Sequence, residues 1–187
     1  LKADRCLTQL LSERDPASPE GRKALESLRS IGPEAIPKVI EAFATADKEH
    51  GGAMVTLLAS LLDDKTFPLF SAGLAHTDKL CVAGVTKALA ISANYDTNRL
   101  TELLGRPEIF KPALIEILGI VRKRLNAREL LKRAYDLEPR EKAAVFKIIG
   151  DIAGPDLVPD LIARIEGKDP SVRLNIIELL SRFNQPE

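Results

Sequence analysis

Val145-Phe-Lys-Ile-Ile-Gly150 and Ile176-Ile-Glu-Leu-Leu-Ser181 have nearly the same pattern. Four earlier stretches share it: Leu25-Glu-Ser-Leu-Arg-Ser30, Val55-Thr-Leu-Leu-Ala-Ser60, Val85-Thr-Lys-Ala-Leu-Ala90 and Leu114-Ile-Glu-Ile-Leu-Gly119. Each opens on an aliphatic residue, has another apolar residue three places on, and closes on Ser, Ala or Gly. Their starts lie 30, 30, 29, 31 and 31 residues apart. Self-similarity at a fixed period of this size is the signature of a repeat architecture.

On a helical wheel the fourth and fifth positions of the sextet fall within about 60° of the first, so the three form one apolar stripe. Ile115, Phe146 and Ile177, at the second position, are expected to widen that stripe in the last three units. A helix so apolar must be covered on more than one side, by its own partner helix and by neighbouring repeats. The small closing residue is expected to let a neighbouring helix approach. Gly119 and Gly150 each cost about 1 kcal/mol of helix propensity relative to Ala, which points to packing.

The period divides the chain into six two-helix units, roughly 1–32, 33–63, 64–94, 95–125, 126–154 and 155–187. Leu7, Leu10 and Leu11 mark the first helix A, and Ser18-Pro19 opens the first helix B with a cap and an N1 proline. Units two and three turn at Asp47 to Gly52 and at His76 to Asp78, with Leu89 and Ile91 on the third helix B. Leu161, Ile162 and Ile165 mark the last helix A. Gly32-Pro-Glu-Ala-Ile-Pro37 and Gly154-Pro-Asp-Leu-Val-Pro159 are one motif placed 122 residues apart, four periods. Helix B openings also agree: Ser18-Pro19 with Arg22, Glu138-Pro139 with Lys142, and Asp169-Pro170 with Arg173. No stretch alternates with period two long enough for a convincing strand, so the reading is all-α.

The 187 residues include 45% hydrophobic and 29% charged side chains, enough for a core and neither disordered nor membranous in composition. Lys+Arg and Asp+Glu both number 27, so net charge draws the chain to neither nucleic acid nor anionic lipid. Aromatics make up 4%, with no Trp, which suits aliphatic packing better than base stacking. Charge-free runs such as His50 to Leu62 fall short of the ~18–20 residues of a membrane helix. Leu1-Lys-Ala-Asp-Arg lacks a signal-peptide apolar region. The missing initiator Met and the end at Gln185-Pro-Glu predict an excised piece of a longer protein. Cys6 and Cys81, two repeats apart, are expected to be reduced core cysteines, which points to the cytoplasm.

Asp169-Pro-Ser-Val-Arg173 followed by Ile176-Ile-Glu-Leu-Leu180 resembles the second helix of a HEAT repeat. In that family an Asp in the A–B turn and an Arg early in helix B form a ladder between neighbouring repeats. Unit five follows with Glu138 and Lys142, whereas the first four units rest on apolar spacing. The period is shorter than the ~40–47 of long HEAT repeats, and is similar to the compact bacterial form seen in phycobilisome lyases. The resemblance implies a right-handed α-solenoid of six HEAT-like repeats, with helix B lining a concave surface.

Enzyme motifs are missing: no Gly-rich phosphate loop, His-Glu-x-x-His, Cys-x-x-Cys or Gly-x-Ser-x-Gly occurs. His50 and His76, with Asp47, Glu49 and Asp78 nearby, read as solvated turn histidines in preference to a metal site. Asp63-Asp64 reads as a helix cap in preference to a catalytic carboxylate pair. The basic run Arg122, Lys123, Arg124, Arg128, Lys132 and Arg133 could follow a phosphate backbone, as in HEAT-like DNA glycosylases. Only Tyr135 accompanies it, and Asp136 and Glu138 follow at once.

The third sextet position points away from the stripe and reads Ser27, Leu57, Lys87, Glu116, Lys147, Glu178. Its last four members alternate in sign, and Ala53, Leu57 and Ala83 add a small apolar patch. The expectation is a non-catalytic, cofactor-free interaction scaffold. A protein or peptide segment, from a partner or from other domains of the same chain, would lie along Ala53, Leu57, Ala83, Lys87, Glu116, Lys147 and Glu178. The alternatives are nucleic-acid binding through residues 122–133 and, on repeat length alone, a chromophore-lyase-like subunit handling a tetrapyrrole.

Overall fold

The computed structural model describes residues 2–167 and 169–183; Leu1, Lys168 and the end of the chain at 184–187 lie outside the described residues. Helices alternate as A and B partners along the chain. They pair as α1 (Lys2–Ser12) with α2 (Pro19–Ile31), α3 (Ile36–Ala42) with α4 (Lys48–Leu61), and α5 (Phe67–Gly73) with α6 (Lys79–Ile91). The remaining pairs are α7 (Asn98–Glu102) with α8 (Lys111–Val121), α9 (Ala127–Ala134) with α10 (Pro139–Ile152), and α11 (Val158–Ile165) with α12 (Pro170–Phe183). No strand occurs among the described residues.

Local chemistry explains the boundaries. The Ser18 hydroxyl accepts from the Gly21 amide at 3.0 Å, and Pro19 starts α2. A Cβ on Gly21 would stand 2.5 Å from the Pro16 carbonyl oxygen, so that turn admits only glycine. Gly32 ends α2 at φ +74°, a conformation glycine adopts without strain. Both Gly-Pro motifs then form a short 3-10 lead-in, Gly32–Ala35 before α3 and Pro155–Leu157 before α11. Asp47, Asp78 and Asp169 each accept amide hydrogens from the first turns of α4, α6 and α12. Glu138, expected to cap α10, makes no side-chain cap bond; Pro139 starts that helix without it.

The chain divides into two compact units, Leu1–Asp96 with Glu108–Ala113, and Thr97–Pro107 with Leu114–Glu187. In the first, α1, α3 and α5 form one layer and α2, α4 and α6 the other. In the second, α7, α9 and α11 succeed one another, and α10 packs on α12. This layering of helix pairs is an α-solenoid architecture.

The fourth sextet position, Leu28, Leu58, Ala88, Ile117, Ile148 and Leu179, is buried in every repeat. Each large side chain so buried contributes roughly 1.5–3 kcal/mol, much of it offset by chain ordering. The stripe narrows toward both ends of the series. Leu25 is half-buried and Arg29 exposed in the first repeat, while Ile177, expected to widen the stripe, is exposed in the last. Phe146 is buried as expected and Ile115 partly so. Ile91 and Ile162, which mark helices in the apolar pattern, are exposed. Gly150 does admit a neighbour: a Cβ there would meet the Arg182 guanidinium and stand 2.9 Å from Leu179 Cδ2. Gly119 meets nothing within 4 Å, so packing does not require it. Both cysteines are free, Cys81 buried but Cys6 only half-buried.

Repeat junctions are tied by short polar bonds. Asp63 accepts from the amides of Lys65 and Thr66, both at 2.8 Å, so it caps the turn into α5. Those bonds, led by the Thr66 amide, hold its carboxyl below the ordinary range. Asp64 accepts from the Asp96 amide at 2.9 Å, one repeat further on. The Thr97 hydroxyl donates to the Arg124 carbonyl at 2.7 Å, and Asn98 accepts from the Asn126 amide at 2.8 Å.

Candidate functional site

A groove of about 460 Å³ opens between α4 and α6 in the first unit. Its apolar lining comes from Phe43, Gly51, Gly52, Val55, Leu80, Ala83 and Gly84, and its charged lining from Asp47, Lys48 and Lys87. Leu80, in the first turn of α6, is 56% exposed beside it. A mostly apolar concavity of this size with a few charges is the usual form of a binding site.

The glycines of the groove have opposite origins. A Cβ on Gly84 would stand 2.5 Å from the Phe43 ring, so Gly84 lets α3 and α6 pack. Gly51 and Gly52 meet nothing within 4 Å, although each costs about 1 kcal/mol of helix propensity relative to Ala. Packing does not ask for them, and their bare backbone leaves the groove open.

The expected site residues fare unequally. Ala83 and Lys87 line the groove. Leu57 does not: it is 1% exposed and belongs to the core. Its helix, α4, is flanked by α2 and α6 and backed by α3, so Met54, Val55, Leu57 and Leu58 are all covered. Ala53 is half-buried and lies outside the groove lining. Gly51 and Gly52, read as turn residues, instead occupy the first two turns of α4, because Asp47 caps that helix. The Asp47-to-Gly52 turn therefore ends at its first residue. An aspartate followed by an apolar-periodic run was the available signal for this helix start.

A second groove, about 250 Å³, lies between α10 and α12 in the second unit. Lys147 and Glu178 line it together with Ala143, Phe146, Asn175, Leu179 and Arg182. Glu116 is exposed on α8.

His50 is not a solvated turn residue. It is buried in the first turn of α4, with Nδ1 2.8 Å from Asp47 Oδ1 and Nε2 buried without a hydrogen-bond partner. A proton on Nδ1 donated to Asp47 leaves a bare Nε2 lone pair, which is less costly to bury than an N–H. The His50 amide and ring together hold the Asp47 carboxyl below the usual range. His76 is half-buried and accepts from the Asp78 amide at 3.0 Å. Among the described residues no three of His, Cys, Asp or Glu gather as a metal-binding group.

The basic run is engaged by nearby acids. Arg128 Nε donates to Asp160 at 2.8 Å, with Asp156 at 3.8 Å, and the Asp160 bond raises the Arg128 pKa further. Arg122 lies 3.6 Å from Asp151 and also donates to the Gly119 carbonyl at 2.7 Å. Lys132 pairs with Glu129 at 2.8 Å. Lys123 lies with Arg122 and Arg124 in a 3-10 segment, and Arg133 stands near Gly105. Arg122 and Arg128 are thus matched by acids of the following repeat, and Lys132 by one of its own helix.

No protein-family model matches the chain, and no curated protein matches it. Among solved structures it is similar to a designed armadillo repeat protein, at 17% identity and a TM-score of 0.35, over 96% of this chain and 99% of that one. A second designed armadillo repeat protein, in complex with a (KR)4 peptide, is 17% identical with a TM-score of 0.36, over 98% of this chain and all of that one. No helix among the described residues is long and apolar enough to cross a membrane.

Proposed function

We propose that the chain is a non-catalytic scaffold that binds a protein segment in the groove between α4 and α6. The observation that supports this reading is the pair Gly51-Gly52, held in a helix without any packing need and lining an open apolar groove. An apolar side chain of the partner enters beside Val55, Ala83 and Leu80. An acidic residue next to it meets Lys48 or Lys87 at the edge. The groove between α10 and α12 offers a smaller site of the same kind, with Lys147 and Glu178 supplying both signs of charge.

A peptide library displayed on phage and selected on the full chain tests this. Selected sequences are expected to share a large apolar residue flanked by an acid. Their affinity, read by fluorescence anisotropy, should fall at least tenfold in the Gly52→Glu and Ala83→Glu variants. Unchanged affinity in both variants, with helical circular dichroism retained, would exclude the groove.

A further inference from the structure

The outer side of α11 and α12 carries Ile162, Leu174 and Ile177, which are 53%, 60% and 52% exposed. The repeat register shows what these positions do one unit earlier. From α10 to α12 both helix bounds shift by 31 residues, Pro139 to Pro170 and Ile152 to Phe183, and from α9 to α11 they shift by the same amount. Ile162 therefore corresponds to Leu131, and Ile177 to Phe146. Both counterparts are buried, at 3% each. Leu131 lines a cleft with Asp160, Ala163 and Arg164 of α11, and Phe146 lines one with Asn175, Leu179 and Arg182 of α12. In repeat five these positions form the face on which repeat six stacks.

The polar ladder follows the same register. Lys142 of repeat five reaches Asp169 in the A–B turn of repeat six. Its counterpart, Arg173, is exposed and holds the Ile165 and Gly167 carbonyls of its own repeat through Nε. By contrast, α1 and α2 expose Lys2, Arg5, Gln9, Arg22, Glu26 and Arg29, and among the described residues of that repeat no large apolar side chain is strongly exposed.

We infer that the α11–α12 face is a repeat-stacking interface whose occupant is a further two-helix unit of this repeat. It places an apolar helix pair on Ile162 and Ile177, whose counterparts repeat six covers, and an acidic A–B turn residue within reach of Arg173. The occupant continues the interface between repeats five and six. The polar first repeat gives a second copy of the chain no matching face for head-to-tail stacking. The inference does not depend on the groove reading.

The test appends a duplicate of residues 155–183 to the chain in register. The extended protein is expected to unfold in urea as one transition at a higher midpoint than the original. Ile162→Glu with Ile177→Glu should remove that gain while leaving the midpoint of the unextended chain unchanged. Circular dichroism establishes that the added helices form in each extended protein. An extension that gives no gain, or a gain that survives the double substitution, would overturn the inference. So would a dimer of the unextended chain, seen by sedimentation equilibrium and dissolved by the same substitutions, since a second copy would then be the occupant.

Discussion

The Lys142 ammonium lies 2.8 Å from the Asp169 carboxylate, joining helix α10 of repeat five to the A–B turn of repeat six. The two partners are unequally exposed: Lys142 is buried, whereas the Asp169 side chain is half exposed. Removing the acid strands a charge in the core, while removing the base leaves a hydrated carboxylate that still caps α12. Asp169→Asn is therefore expected to destabilise the protein markedly more than Lys142→Met, which should be close to neutral. Urea denaturation of the two variants checks the order, and equal effects would mean that the pair acts as a simple surface bridge.

The same carboxylate gives the stability a pH dependence. The hydrogen bond from Lys142, followed by those from Ser171, holds Asp169 well below its ordinary value of 3.8. An unfolded chain then binds more protons than the folded one, so stability rises with pH. The contribution is complete above 3.8 and is lost as pH falls through the lowered folded value. Asp47 and Asp63 are lowered in the same sense, by bonds from His50 and Thr66. Urea midpoints measured across the acid range should decline as pH falls from 3.8 toward the lowered folded value, and less steeply in Asp169→Asn.

Two glycine substitutions are expected to act with opposite sign. Gly51→Ala adds a methyl where nothing lies within 4 Å and should stabilise α4 by up to about 1 kcal/mol. Gly84→Ala drives a methyl into the Phe43 ring and should cost about 1–3 kcal/mol. Thermal and urea unfolding of both variants decide this.

Leu57→Ala is expected to cost about 2–5 kcal/mol, as a fully buried leucine does. Leu57→Asp should go further and unfold the first unit, since the carboxylate would be buried without a partner. A Leu57→Asp variant that keeps its helical circular dichroism would place Leu57 on the surface.

The sequence made the architecture legible because apolar period, caps and prolines agree in register, most clearly from Glu138 to Ser181. The lysine–aspartate rung was legible too, through the resemblance of Asp169 and its neighbours to a HEAT helix. The candidate groove was only half legible. Ala83 and Lys87 could be placed from the wheel, but Leu57 could not, because burial of the third position depends on how many helices flank α4. Gly51-Gly52 looked like a turn, and only Asp47 as a cap turns it into helix. The ion pairs of Arg122 and Arg128 were hidden because Asp151, Asp156 and Asp160 come from the following repeat.

Whether the face between α4 and α6 receives a partner segment is decided by titrating a library-selected peptide into the 15N-labelled chain and following amide chemical shifts. Shifts are expected to concentrate at Gly51, Gly52, Val55, Ala83 and Lys87. Shifts centred on Arg122 to Arg133, with those five amides unmoved, would contradict the groove reading.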